Sequence, residues 1–422
     1  MSRFFSDRFA SLTAYVPGEQ PQDQQYVKLN TNESPYPPSP RTRSAVSDAE
    51  LARLNLYPDP TGMRLRNTLA AHYGVKPTNV LLANGSDEIL SFAFMAFCDA
   101  QTPAVFPDIS YGFYPVYAAL YGVGANIIPL REDFSMDVDA LCAAPGMCVL
   151  ANPNAPTGMA LPRAAIERIL LSNPNRVVLV DEAYVDFGAE TALPLLAEHD
   201  NLLIARTYSK SRSMAGARLG FAFGSEALIA DLETIRFSTN PYNLNRLTLL
   251  LGEAAVVDDA YYAQNCKRIA ATRESAAARL TSLGFTLTES KANFLFARHP
   301  AIPGEALYSG LKARGVLVRH FNKPRIAEYV RITIGTPEQM DVLYAAIEDI
   351  LKGGAPCAKQ PSAAPQRKLL FPSPWRWMEP ARPALIPVAA FSTICSRSLQ
   401  PMAGLILPFP ARETHRWTIT TP

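Results

Sequence analysis

Between residues 80 and 224 the chain repeats one pattern: a short apolar run, a turn signal, then a stretch with helical spacing of its apolar positions. The runs are Val80–Leu82, Ala104–Phe106, Asn126–Leu130, Cys148–Ala151, Val177–Val180, Leu202–Ala205 and Leu219–Phe223. Runs so short and evenly apolar read as strands buried on both faces. The pattern predicts an α/β domain with a mostly parallel, seven-stranded sheet flanked by helices. In such sheets ligands collect outside the carboxyl ends of the strands, so the polar residues that follow each run are the candidates for chemistry.

Beyond the sheet, helical spacing covers Tyr242–Leu251 and about Asp258–Leu283, and Gly284 supplies a C-cap signal. Strand patterns at Lys291–Ala297, Val316–Arg319 and Tyr329–Ile334, with helices near Gly304–Arg314 and Pro337–Leu351, predict a smaller α/β lobe. The N-terminal 40 residues are expected to pack on that lobe, and Pro35, Pro37, Pro38 and Pro40 favour an extended arm over a helix there. The expected division is an N-terminal arm with part of the small domain (1–45), a large cofactor-binding domain (46–284), a small C-terminal domain (285–354) and a tail (355–422).

Composition separates that tail from the body. The 422 residues are 48% hydrophobic and 18% charged, which excludes a disordered or fibrous chain as a whole. A net charge of +2 from 40 basic and 38 acidic residues gives no nucleic-acid or membrane footprint. Residues 355–422, however, hold eight Lys/Arg against two Asp/Glu, so the balance is the sum of a +6 tail and a −4 body. The tail also carries 12 of the 36 prolines and all three tryptophans, without helical or strand periodicity. Three readings of it stand: a disordered extension, an interaction arm, or translation of a sequence not selected to fold; the first and third are favoured, and deletion of 356–422 is expected to leave activity intact. The six cysteines form no CxxC pair, and neither a signal peptide nor a membrane span is visible, so a cytoplasmic enzyme with reduced thiols and no metal is expected.

Three strand ends carry the chemistry. After the first run, Gly85-Ser86-Asp87 opens a helix whose exposed amides suit an anion, although Ser86 as an ordinary N-cap explains the residues too. After the fifth, Asp181 is either a satisfied cap or a charge held for a ligand, and Tyr184 can offer its hydroxyl to that same ligand. After the sixth come Thr207, Ser209 and Lys210, with Arg218 eight residues beyond the lysine. Two hydroxyls and a forked cation suit a phosphate, while the lysine offers an amine for a Schiff base. Pyridoxal phosphate asks for all of these at once: a lysine for its aldehyde, an acid for its pyridine nitrogen, and a helix terminus with an arginine for its phosphate.

With these residues the chain resembles the class I/II, fold-type I aminotransferases, and within them the histidinol-phosphate aminotransferases, over about residues 10–352. The marks are Tyr15-Val16-Pro17-Gly18, Leu29-Asn30-Thr31-Asn32-Glu33-Ser34-Pro35-Tyr36, Tyr57-Pro58-Asp59-Pro60, Gly85-Ser86-Asp87-Glu88, Asn152 to Gly158, Asp181-Glu182-Ala183-Tyr184, Ser209-Lys210 with Arg218, and Val330 to Thr336. The resemblance implies that Lys210 links to the cofactor and shuttles the proton between the α-carbon and C4′. It implies that Asp181 partners the pyridine nitrogen, that Tyr184 bonds the ring hydroxyl and that Tyr111 stacks on the ring. The phosphate falls to the amides of Ser86 and Asp87 with Thr207, Ser209 and Arg218, and Tyr57 reaches the phosphate from the partner of a homodimer with shared active sites. Where the family usually reads Asn-Asn-Pro-Thr-Gly this chain has Ala155 as the second residue, which leaves Asn154 and Asn152 as candidates to replace its amide and the compensation itself open.

The resemblance leaves the substrate to Arg331, whose guanidinium fork suits an α-carboxylate or a phosphate equally. Tyr15 either lines the substrate pocket or staples the arm, and Arg319 and Arg325 are candidate additional cations for a phosphate. The expected reaction converts histidinol phosphate and 2-oxoglutarate to imidazole acetol phosphate and glutamate, a step of histidine biosynthesis. The alternatives are an aromatic amino-acid aminotransferase, a threonine-phosphate decarboxylase of the same fold, and, disfavoured by the intact lysine, a non-enzymatic cofactor-binding regulator.

Overall fold

A computed structural model describes residues 2–9 and 12–353. The expectations for the tail, 355–422, lie outside these residues. The seven runs form one sheet of strands β1 (Val80–Ala83), β2 (Ala104–Pro107), β3 (Ala125–Ile128), β4 (Met147–Ala151), β5 (Val178–Asp181), β6 (Leu202–Thr207) and β7 (Gly220–Gly224), in the order β1-β7-β6-β5-β4-β2-β3. β7 runs antiparallel to both of its neighbours, and the remaining pairings are parallel.

Alternation along the strands sends side chains to two separate cores. Val178, Val180, Leu202 and Ile204 pack into one cluster, and Leu179, Leu203, Val149 and Ala205 into the other. Both faces are therefore apolar, and continuous rather than alternating hydrophobicity is what such a sheet requires. One strand departs from the expectation: β3, anticipated as buried, lies at one edge of the sheet, and its Ile127 is 52% exposed. The strand at the opposite edge, β1, is buried throughout, so edge position alone does not expose β3.

The long helix Asp259–Ser282 ends as anticipated, with Gly284 at φ +90. A second sheet follows in the order Arg319–His320, Val330–Thr333, Phe294–Arg298, Thr286–Leu287, all antiparallel. The helices Gly304–Ala313 and Pro337–Leu351 accompany it. The N-terminal segment does join this lobe, because Val27–Lys28 pairs in parallel with Val316–Leu317. The proline-rich stretch is not wholly extended: Pro40 takes the first position of a short helix, Pro40–Arg43, where its missing N–H costs nothing.

The register of the large sheet sets the site. Asp181 lies level with Ala151 on one side and Ala205 on the other. The segments leaving β4, β5 and β6 therefore emerge together.

Candidate active site

Two adjoining cavities of about 410 and 820 Å³ open at these strand ends and share Thr31, Tyr111, Ala155, Tyr184 and Lys210 in their walls. Ser86, Asp87, Asp181, Thr207, Ser209 and Arg218 line the smaller one. Tyr15, Arg319, Arg325 and Arg331 line the larger. The fold thus gathers residues from seven separate stretches of chain around one space.

At the end of β5, Asp181 is 4% exposed and has no cation within ion-pair reach among the described residues. Its carboxylate accepts the Ala183 N–H at 3.1 Å and the Tyr114 hydroxyl at 3.3 Å. Burial, with Asp87 and Glu182 nearby, pushes its pKa from 3.8 up to about 7. A buried acid in this condition gains from a cationic partner. Lys210 shows the converse: burial and the neighbouring charge of Arg331 draw its amine from 10.5 down to about 8. Its Nζ donates to the Thr31 carbonyl at 3.1 Å and makes no ion pair among the described residues.

The phosphate end is built by close backbone approach. Gly85 stands at φ +80, and a Cβ there would lie 2.6 Å from Arg218 Nη2, while one on Gly220 would lie 2.6 Å from the Ser86 nitrogen. Only glycines let the helix Ser86–Phe97 begin here, and its first amides have no partner within the helix. The Asp87 carboxylate holds Arg218 at 3.0 Å and accepts the Tyr111 hydroxyl at 2.7 Å. Thr207 and Ser209 bond each other at 3.0 Å below them. A helix start, two hydroxyls, an arginine, a buried acid lacking a cation and an amine of lowered pKa together fit pyridoxal phosphate.

Across the larger cavity Arg331 is half-buried, its guanidinium 5.3 Å from the Phe294 ring and 5.6 Å from Phe321. Nη2 donates to the Asn30 carbonyl at 3.1 Å, but Nε is buried without a hydrogen-bond partner, and no carboxylate pairs with it among the described residues. Burial holds its pKa below the usual arginine value. Tyr15 packs 4.4 Å from Phe113 while facing this cavity, so it is both staple and wall.

Several candidates are occupied otherwise. Asn154, put forward as a cofactor ligand, is spent on the loops: its Nδ2 donates to the Ile109 carbonyl at 2.9 Å and to Thr157 Oγ1 at 3.1 Å, and its Oδ1 accepts from Ser110 at 2.8 Å. Asn152 clasps Leu161 through both of its amide atoms. Neither lines the smaller cavity, whereas Ala155 does. Arg319 touches the larger cavity but donates to the Val16 and Pro17 carbonyls, tying down the arm. Arg325 is held by Asp108 at 3.0 Å and by the Leu130 and Arg131 carbonyls. Tyr57 is 77% exposed and stacks on Tyr242, outside both cavities of its own chain.

Residues that the sequence did not single out complete the site. Tyr114 bonds Asp181, and Asn32 Nδ2 donates to Tyr184 Oη at 2.9 Å. Tyr114 belongs to an aromatic-rich helix, and Asn32 to a motif already noted, but their roles depend on contacts far apart in sequence.

A fold of this kind with a lysine, an acid and an arginine around one cavity defines a class, and the chain belongs to the family described as aminotransferase class I and II, which matches residues 24–347. It is an aminotransferase. It is 50% identical over 355 residues to the histidinol-phosphate aminotransferase of Marinomonas sp. (strain MWYL1), covering 83% of this chain and all of that one. Its fold is similar to that of histidinol-phosphate aminotransferase from Sinorhizobium meliloti in complex with pyridoxal-5'-phosphate, at 23% identity and TM-score 0.76 over 84% of this chain and 99% of that one. The L-threonine-O-3-phosphate decarboxylase of Porphyromonas gingivalis is also similar, at 21% identity and TM-score 0.67 over 77% and 99%. Fold alone therefore does not separate amine transfer from decarboxylation.

Proposed function

We propose that this chain is a pyridoxal-phosphate-dependent aminotransferase that moves the amino group of histidinol phosphate to 2-oxoglutarate, in the cytoplasm, as a step of histidine biosynthesis. The observation that carries the substrate is Arg331, a guanidinium on the cavity wall with no carboxylate partner among the described residues. It suits the donor's phosphate, and the 50% identity to a histidinol-phosphate aminotransferase supports the same choice. When bound, pyridoxal phosphate supplies an aldehyde for the lysine and a ring that stabilises negative charge at the donor's α-carbon.

The chain's own residues divide the remaining work. Asp181, lacking a cation, holds the proton on the ring nitrogen. Ser86, Asp87, Thr207, Ser209 and Arg218 hold the cofactor phosphate, and Tyr111 covers the ring. Lys210, whose amine burial and the charge of Arg331 draw down to about 8, would take the α-proton and return it elsewhere. Tyr184 donates to the ring oxygen. Arg331 and Tyr15 orient the donor, and Arg319 ties down the arm that carries Tyr15. Tyr57, outside the cavities of its own chain, reaches the phosphate of a second copy, so two subunits share their sites.

Assay of the purified protein on histidinol phosphate, phenylalanine and threonine phosphate, with 2-oxoglutarate as acceptor, tests this. Glutamate formation should be at least roughly tenfold more efficient with histidinol phosphate than with phenylalanine, the value of one charge-assisted bond. Carbon dioxide from threonine phosphate without glutamate would reverse the assignment.

A further inference from the structure

Tyr184 is held by a cluster that fixes the direction of its hydrogen bond. Asn32 stands at φ +57, a left-handed conformation that asparagine tolerates better than most residues. Its backbone N–H donates to Thr333 Oγ1 at 3.0 Å, and that hydroxyl sends its own hydrogen to Asn32 Oδ1, also at 3.0 Å. Asn293 Nδ2 closes the cluster on the Asn32 carbonyl at 3.0 Å. With Oδ1 engaged as an acceptor, the amide has only Nδ2 to turn toward Tyr184 Oη, 2.9 Å away. Asn32, Asn293 and Thr333 are at most 3% exposed, so water does not take over these bonds.

A phenol that accepts an N–H bond keeps its own hydrogen for another acceptor. Tyr184 faces both cavities, so that hydrogen is available to a ligand there. On the same wall Ala155 offers no polar group, and the amides of Asn152 and Asn154 are consumed by the loops. We propose that Asn32 is a positioning residue: locked by Thr333, it makes Tyr184 a one-way donor to the ring oxygen of the cofactor, in place of a second amide that this chain lacks. This rests on the cofactor reading given under Proposed function.

The test is the pH titration of the visible absorbance of the loaded enzyme, a readout separate from turnover. A donor on the ring oxygen stabilises its negative charge and weakens its hold on the neighbouring proton, so losing that donor raises the midpoint. Asn32→Gly, which tolerates the left-handed backbone but has no amide, should raise the midpoint by about half to one pH unit, as one hydrogen bond allows. Asn32→Asp, which offers an acceptor where the donor was, should draw the tyrosine hydrogen away and shift it at least as far. Tyr184→Phe should produce a shift of that size alone, and adding Asn32→Gly to it should move nothing further. An unchanged midpoint in folded Asn32 variants beside a shifted Tyr184→Phe, or shifts that add in the double variant, overturns the proposal while leaving the cofactor reading intact. A wild-type protein that shows no visible band with pyridoxal phosphate overturns both.

Discussion

Asp181 and Glu182 are adjacent in sequence and both buried, yet their surroundings are opposite. Glu182 receives Nε and Nη2 of Arg206 at 3.0 and 2.7 Å, the Thr191 hydroxyl at 2.9 Å and the Ala192 N–H at 2.6 Å. Its arginine also bonds Tyr73 and Thr191. The charges in that region satisfy one another. In the cavity, Asp181 has no cation, and Lys210 and Arg331 have no carboxylate partners among the described residues. Burial of unpaired charge is costly. One cluster is closed and the next is open, as the proposed cofactor site requires.

Four substitutions and one truncation can break this contrast, from the largest expected effect to the smallest. Lys210→Ala should abolish transamination, by about a thousandfold or more, while the melting temperature stays near that of the parent apoprotein. Glu182→Ala should do the reverse: leaving Arg206 only its longer pairing with Asp186 at 3.6 Å should cost on the order of 3 kcal/mol in denaturant unfolding, and a much smaller loss would mean the pair is less isolated from water than its geometry indicates. Arg331→Gln should raise KM for a phosphate-bearing donor by roughly 10- to 100-fold with a smaller change in kcat, checked by steady-state kinetics.

Asp181→Asn tests the sign of the unpaired charge. The folded-state pKa of about 7 lies above the ordinary 3.8, so the contribution of Asp181 to apoprotein stability is fully present below about pH 4 and is lost as pH rises through 7. The variant should therefore match the parent near pH 4 and exceed it by up to about 4 kcal/mol at pH 8 in the apo form. Loading the cofactor should stabilise the parent more than the variant. Smallest of all, removing residues 356–422 should change neither melting nor turnover, since a relative's whole length is matched by 355 residues of this chain.

Much of this arrangement was legible in the sequence because strand ends announce themselves. Each of the seven apolar runs became a strand within two residues, and Asp181 and Lys210 fall on the cavity wall because each follows such a run. What local pattern does not carry is neighbourhood. Nothing in Asn126–Leu130 says that its strand is the last in the sheet, nothing in Leu219–Phe223 says that it runs against its neighbours, and pairings as short as Thr286–Leu287 show no period. The same holds for side chains. Asn154 looks like a ligand in its own motif, but Ile109, Ser110 and Thr157 consume its amide. Asn32 looks like arm sequence until Tyr184, 152 residues away, meets it.

On the proposed function, the open charges of the cavity serve a cofactor carried by Lys210. Borohydride reduction of the enzyme loaded with pyridoxal phosphate, followed by peptide mass spectrometry, tests it most directly, because reduction fixes the cofactor to the lysine that bears it. A pyridoxyl adduct on Lys210, absent when Asp181 and Arg218 are both replaced by alanine, is the predicted result. An adduct on another lysine, or none, would contradict the account.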